Sequence, residues 1–191
     1  RRIHLFRCKW YAFTFFTSVE KLQLPAELET RGEGTFYSMD SLKSITLPEG
    51  IIEVREYAFK NCVNLEKVVF QGDLLGVREH AFMNCEKLSS VKFPDSLKSI
   101  DSAAFYGTAF KKIVLPAGVN LTEDPFEHCQ QLEKIVFESD EPVEYITIDT
   151  FVACKNVKAI YIKAVATKGI HLHFITPNPE DLPNLTTIYF E

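Results

Sequence analysis

The chain has 191 residues, of which 46% are hydrophobic and 25% charged, a globular composition with enough apolar material for a sizeable core. Its net charge of −5 argues against nonspecific nucleic-acid binding, which needs a basic footprint. No apolar run approaches the ~18–20 residues of a membrane-spanning helix, so no membrane insertion by this chain is expected.

The chain opens on Arg1 rather than Met, as a processed or trimmed chain would. Arg1, Arg2 and Arg7 ahead of Trp10–Phe16 imitate a leader peptide. That reading is set aside because Phe13 and Phe16 already sit in a repeat. Phenylalanine recurs at Phe13, Phe36, Phe59, Phe82 and Phe105 in steps of 23, then at Phe126 and Phe151 after steps of 21 and 25. A period of this length with apolar positions locked to it marks a solenoid, in which one coil cannot bury its own apolar face.

Around each anchor the same slots return. They read Phe59, Cys62, Leu65, Val68 and Phe70, then Phe82, Cys85, Leu88, Val91 and Phe93. Earlier they read Phe13, Phe16, Val19, Leu22 and Leu24, then Phe36, Met39, Leu42, Ile45 and Leu47. Later they read Phe126, Cys129, Leu132, Ile135 and Phe137, then Phe151, Cys154, Val157, Ile160 and Ile162. The Phe105 unit is one residue short, with Thr108, Phe110, Ile113 and Leu115. A last unit, Leu182, Leu185, Ile188 and Phe190, has no anchor.

The end of each unit alternates inward and outward with period two, which predicts a short strand. One strand per coil gives a parallel sheet of about eight strands, roughly 35–40 Å wide at ~4.8 Å per strand. Pro25, Pro48, Pro94 and Pro116 follow the strands and end the ladder for want of an N–H. A second apolar pair lies on the far side, as at Ile52 and Val54 or Leu97 and Ile100. Residues 163–181 break the rhythm and read as an irregular loop rich in Gly and Pro. The whole of 1–191 is expected to be one domain, with repeats over about 12–162 and 182–191.

The phrase Leu42-Lys-Ser-Ile-Thr-Leu-Pro48, followed by Tyr57-Ala-Phe-Lys-Asn-Cys62, resembles the BspA-like leucine-rich repeat of bacterial surface antigens, known also from treponemal and gut-anaerobe proteins. The resemblance spans about 12–162 and returns at 182–191. It implies a leucine-rich-repeat solenoid with a parallel sheet on its concave face. It further implies a secreted or surface-attached protein, with adhesion or binding of a host protein or glycan as its role. The 163–181 insertion and the unanchored last unit depart from the pattern.

Candidate chemistry is sparse. Four of the five cysteines, Cys62, Cys85, Cys129 and Cys154, share one slot with Phe16, Met39 and Thr108, so they read as buried thiols packing as small hydrophobes; Cys8 stands apart. Stacked in the same direction they are poorly placed for disulfides, and without a Cys-x-x-Cys they offer no zinc site. His171 and His173 fall on one face of an extended segment but lack further metal ligands. His80 and His128 lie in turns beside the anchors, with no nucleophile in register. The acids Glu123-Asp124 and Asp140-Glu141 read as solvated loop residues. Asn120-Leu-Thr122 and Asn184-Leu-Thr186 match the glycosylation triplet by chance. There is no Gly-rich phosphate loop and no Gly-x-Ser-x-Gly, so neither an enzyme nor a cofactor is expected.

The outward strand positions are more informative. One row runs Gln23, Thr46, Val69, Lys92, Val114, Val136, Tyr161, Tyr189. The row beside it runs Lys21, Ser44, Lys67, Ser90, Lys112, Lys134, Ala159, Thr187. In the C-terminal half, Lys112, Val114, Lys134, Val136, Tyr161 and Tyr189 form an apolar-aromatic stripe beside lysines. Such a stripe fits a contact surface for a macromolecular partner. It equally fits plain stacking of β-branched and aromatic residues, or a cover formed by 163–181 or a second copy. Two roles therefore stay open: a binding module for a protein or glycan, and a structural module that stacks through its ends. The chain is expected to be a monomer or to self-associate weakly.

Overall fold

The computed structural model describes residues 7–8, 10–26, 28–30, 32–139, 145–164, 171–173 and 182–190. Its strands are β1 (Arg7–Cys8), β2 (Lys21–Leu22), β3 (Glu29–Thr30), β4 (Ser44–Leu47), β5 (Glu53–Val54), β6 (Lys67–Phe70), β7 (Gly76–Val77), β8 (Ser99–Ile100), β9 (Lys112–Pro116), β10 (Asn120–Leu121), β11 (Lys134–Ser139), β12 (Tyr145–Thr147), β13 (Ala159–Ala164), β14 (His171–His173) and β15 (Thr187–Phe190), with one 3-10 turn at Asp149–Phe151. All strand pairs are parallel. The molecule is a solenoid with almost no helix.

The strands predicted at the end of each unit form the main sheet, in the predicted register. Ile45 stands opposite Val68, Ile113 opposite Ile135, Ile135 opposite Ile160 and Ile160 opposite Ile188. The sheet comes in two pieces, β2-β4-β6 and β9-β11-β13-β15. Residues 90–93 form no strand, so the expected run of eight is broken at its centre. A second sheet, β5-β7-β8-β10, runs unbroken past that gap on the far side of the coil.

Between the sheets the anchors stack. Phe36 and Phe59 are 4.8 Å apart at 12°, Phe59 and Phe82 5.0 Å at 3°, and Phe82 and Phe105 5.1 Å at 7°. The widest step, 5.6 Å from Phe105 to Phe126, is flanked by the Phe110 ring, 5.5 Å from Phe105. The far-side core pair is Ile51 and Val54, not Ile52 and Val54: Ile51 is buried and Ile52 is exposed. Leu28, Ile51, Leu74 and Leu97, each 23 residues after the last, form that buried row.

The turns carrying Phe36, Phe59, Phe82, Phe105 and Phe126 each pass twice through the left-handed region. Two residues before the anchor stand Tyr57 (φ 56°), His80 (φ 55°) and Ala103 (φ 49°); two residues after it stand Asn61 (φ 64°), Asn84 (φ 60°) and Gly107 (φ 69°). Asn and Gly adopt this geometry readily, whereas Tyr, His and Ala do so at a cost. The alternation points every second N–H at the next coil. Tyr57, Phe59 and Asn61 thus donate to the carbonyls of Glu79, Ala81 and Met83 at 3.2, 2.7 and 2.8 Å. These bonds offset the strain. In the Phe36 turn the slot two residues before the anchor is Gly34, where a Cβ would run into the Tyr11 ring of the neighbouring coil.

The expected loop over 163–181 is only partly irregular. Lys163 and Ala164 extend β13, and His171–His173 pairs with Tyr145–Thr147. The rest of the insertion, and the acids Asp140-Glu141, lie outside the described residues.

Candidate interaction surface

The C-terminal half of the main sheet brings the predicted stripe together. Val114, Val136, Tyr161 and Tyr189 are aligned strand to strand, as are Lys112, Lys134, Ala159 and Thr187. Period-two alternation places both rows on the outward face. Tyr161 and Tyr189 stack with ring centroids 4.4 Å apart at 16°. Lys134 Nζ lies 3.4 Å from the Tyr161 centroid, a cation–π contact. Lys112 and Lys134 stand directly opposite one another, a like-charge pair, and the ring quadrupole of Tyr161 draws the second ammonium aside.

The six residues differ in access. Tyr189 is 43% exposed and Lys112 is exposed, whereas Val114, Lys134 and Tyr161 are half-buried. Val136 is 1% exposed, covered on the outward face and not part of the interior core, so the stripe is not a continuous apolar strip. Tyr161 is covered by Lys134 on one ring face and Tyr189 on the other. The accessible parts are the Tyr189 ring and the Lys112 ammonium; Phe190, 62% exposed, aligns with the inward Ile162 and lies on the other face of β15.

The cysteine slot has a different chemistry from the one its nucleophiles would allow. Cys62 and Cys85 donate their S–H to the carbonyls of Phe36 and Phe59 at 3.1 and 3.2 Å, and Cys129 and Cys154 to those of Phe105 and Phe126 at 3.2 Å. Burial pushes Cys62 up to about 12 and Cys129 up to about 11, and raises Cys85 and Cys154 as well. A thiol held in this way is a poor nucleophile. The side chains of Cys8, His171 and His173 lie outside the described residues. His80 stacks on Tyr57 at 5.2 Å, and His128 lies 4.7 Å from the Tyr106 ring. Among the described residues no three His, Cys, Asp or Glu side chains converge on a metal-sized site, and no helix is long and apolar enough to cross a membrane.

Two features escape a reading of single units. Arg78 ties three successive coils of the second sheet, pairing with Glu53, with Asp101 at 3.1 Å and with Ser99 Oγ at 3.3 Å. The other feature is a pair of hollows on either side of 91–95, one lined by Phe70–Asp73 and Lys92–Ser96, the other by Val114–Pro116. The sequence signal beside the second hollow is the missing residue between Phe105 and Phe110.

The repeat pattern matches a family model, the BspA type leucine-rich repeat region, over residues 6–133 and 53–171 in six copies. Six rather than eight is the better count of full coils: Phe16 in the first unit is half exposed, and the last unit lacks an anchor. No curated protein matches the chain. Among solved structures, it resembles a leucine-rich repeat protein of T. pallidum at 22% identity, with a TM-score of 0.63 over 80% of this chain and 72% of that one. It also resembles the pneumococcal vaccine antigen PcpA at 20% identity, TM-score 0.59, over 91% of this chain and 56% of that one. A leucine-rich repeat protein from Bacteroides ovatus matches at 17% identity, TM-score 0.55, over 90% and 69%. These likenesses establish the fold. With the anchor stack, the parallel ladders and the family model in agreement over most of its length, the chain belongs to the BspA-type leucine-rich repeat family.

Proposed function

We propose that the chain is a binding module of a surface-associated bacterial protein, engaging a protein or glycan through the C-terminal half of its main sheet. The observation that carries this reading is the Lys134–Tyr161–Tyr189 stack, which holds the exposed Tyr189 ring rigidly in line with Tyr161 and Lys134, with Lys112 exposed on the next strand. Rigid aromatic rings next to cations lose little entropy on contact and recur at binding hot spots. The family type, together with a structural neighbour described as a pneumococcal vaccine antigen, supports a location at the cell surface. The repeat scaffold supports recognition rather than catalysis.

The test is label-free binding to a panel of extracellular-matrix proteins and mucin-type glycans, with a Tyr189→Asp, Lys112→Glu variant run in parallel. Both positions are exposed, so the variant is expected to fold and to lose at least tenfold in affinity. Equal binding by both proteins would remove the stripe from the contact surface. A second reading, stacking of modules end to end, is favoured by the exposure of Trp10 (68%) and Phe15 (91%) on the first coil and Phe190 on β15. Mass that rises with concentration in solution would support it.

A further inference from the structure

The outward face of the main sheet carries a charge opposite to that of the chain as a whole. Its first row, at the strand starts, reads Lys21, Ser44, Lys67, Ser90, Lys112, Lys134 across successive coils. Backbone pairing aligns Lys21 with Ser44, Ser44 with Lys67, and Lys112 with Lys134. Ser90 takes the same slot at the seam between β6 and β9, where no ladder forms but the Phe59–Phe82–Phe105 stack keeps the coils in step at 5.0 and 5.1 Å. The second row, two residues further on, adds Lys92 and holds no carboxylate. Lys21, Lys67, Lys92 and Lys112 are exposed, and none has an ion-pair partner among the described residues. With Lys134 they form a cationic lane on a chain whose net charge is −5. A patch of one sign concentrates and steers ligands of the other.

The surroundings of the lane narrow the choice of anion. Acids bound it on both sides. Before the strands stand Glu20, Glu66 and Glu133, of which Glu20 and Glu133 are held by Lys43 at 2.8 Å and Lys158 at 2.7 Å. Past the strand ends Glu49, Asp73, Asp95 and Glu138 line the two hollows that Lys92 also borders. Between these acids the two rows are ~7 Å apart, and Lys21 to Lys134 spans about 24 Å. A nucleic-acid duplex laid here would meet the flanking carboxylates, whereas a single linear chain would not. The cations are all lysines, point charges without the guanidinium fork that recognises carboxylate and phosphate bidentately. Ser44 and Ser90 are short, so each leaves a notch between two lysines with a hydroxyl donor at its floor. At the C-terminal end of the face the exposed Tyr189 ring, stacked on Tyr161, offers an electron-rich surface to the C–H face of a sugar ring.

We propose that this lane binds a linear sulfated polysaccharide. The chain lies across the strands along the solenoid axis, with sulfates at Lys67, Lys92 and Lys112 and at the Ser90 hydroxyl between them. The inference rests on the main sheet being the contact face, and it specifies the ligand of that face.

The test is calorimetric titration of the whole chain with heparin oligosaccharides of increasing length. Desulfated heparin, polyglutamate and oligo-dT serve as comparison probes. Heparin should bind more tightly with length until the oligosaccharide reaches from Lys21 to Lys134, and binding should weaken steeply with added salt. Lys67→Ala with Lys112→Ala, both exposed, should raise Kd about tenfold or more. Lys60→Ala with Lys98→Ala, equal in charge but on the anchor turn and beside the second sheet, should stay within about twofold. Equal losses from the two pairs would overturn the proposal, as would desulfated heparin, polyglutamate or oligo-dT binding as tightly as heparin. Failure of heparin to bind would overturn it as well. Matrix-protein binding that is still lost in the Tyr189→Asp, Lys112→Glu variant would then leave the contact face standing with another ligand.

Discussion

The slot three residues after each anchor shows what one buried position asks of a side chain. The coils above and below both press on it, and the preceding anchor's carbonyl points at it, so a compact group able to donate one hydrogen bond suits it best, although Met39 fills it fully buried without donating. A thiol meets both demands, and at Thr108 a hydroxyl donates instead to Phe105 O at 2.9 Å and contacts Cys129 Sγ at 3.2 Å. Burial raises these thiols from 9.0 to about 12 at Cys62 and to about 11 at Cys129, so the folded chain keeps protons that the unfolded chain releases. The native state binds more protons between those limits, and its stability therefore falls as pH rises from about 9 toward 11, by up to ~1.4 kcal/mol per pH unit for each thiol. Melting temperatures measured across that range should fall steadily, and less steeply in Cys129→Ala. Iodoacetamide at pH 8 should leave Cys62, Cys85, Cys129 and Cys154 unmodified until denaturant is added. Ready labelling of the folded chain would contradict the buried, protonated state.

Arg78 is where the elements of the second sheet are joined. Strands of two residues give few ladder bonds, so side chains must add to the grip between coils. The guanidinium bridges Glu53 on β5 and Asp101 just beyond β8, and Glu53 in turn takes Arg55 at 3.2 Å. With 29% of its side chain exposed, Arg78 is screened less than a surface ion pair. Arg78→Ala leaves two half-buried carboxylates 48 positions apart without their shared cation, and is expected to cost about 1–3 kcal/mol in chemical denaturation. The exposed pair of Lys43 and Glu20, at 2.8 Å, joins only two coils, and Lys43→Ala should have little effect. Comparable losses from the two variants would show that Arg78 is one more surface ion pair.

The same element scale shows what the sequence makes legible. Apolar alternation specifies which face a residue takes, so the rows Val114–Tyr189 and Lys112–Thr187 were readable before any coordinate. Pairing is another matter. Ser90-Val-Lys-Phe93 has the pattern of Lys67-Val-Val-Phe70 and yet forms no ladder, because hydrogen bonds depend on the separation of neighbouring coils, which one coil's pattern does not carry. Val136 and Val69 occupy one slot, and one is buried while the other is 36% exposed. Ile51 and Ile52 are adjacent isoleucines, and only the 23-residue row of Leu28, Leu74 and Leu97 tells which of them faces inward.

At the scale of the molecule, the two pieces of the main sheet are connected by the second sheet with its Arg78 bridge, by the turn-to-turn bonds and the Cys85 thiol of the Phe82 coil, and by the stacked Phe82 ring. In a solenoid each coil contacts only its neighbours, so stability is close to a sum of coil terms and interface terms along a line. The Phe82 coil contributes no main-sheet ladder, and its interfaces depend on that ring, which stacks on Phe59 at 5.0 Å and Phe105 at 5.1 Å. Phe82→Ala opens a fully buried cavity and is expected to cost about 3–5 kcal/mol. At ~2–4 °C per kcal/mol for a chain of this size, the melting temperature should drop by roughly 6–20 °C. More tellingly, the transition should broaden or split, because the two halves lose the contact that couples their unfolding. Phe126→Ala, in the half whose strands are fully laddered, should lower the midpoint without splitting it. Phe13→Ala removes a half-buried ring with one stacked neighbour, Phe36 at 5.3 Å, and should shift the midpoint least. Calorimetry on the three variants separates these outcomes. A single sharp transition in Phe82→Ala, shifted no more than in Phe13→Ala, would mean that the second sheet alone carries the coupling across the seam.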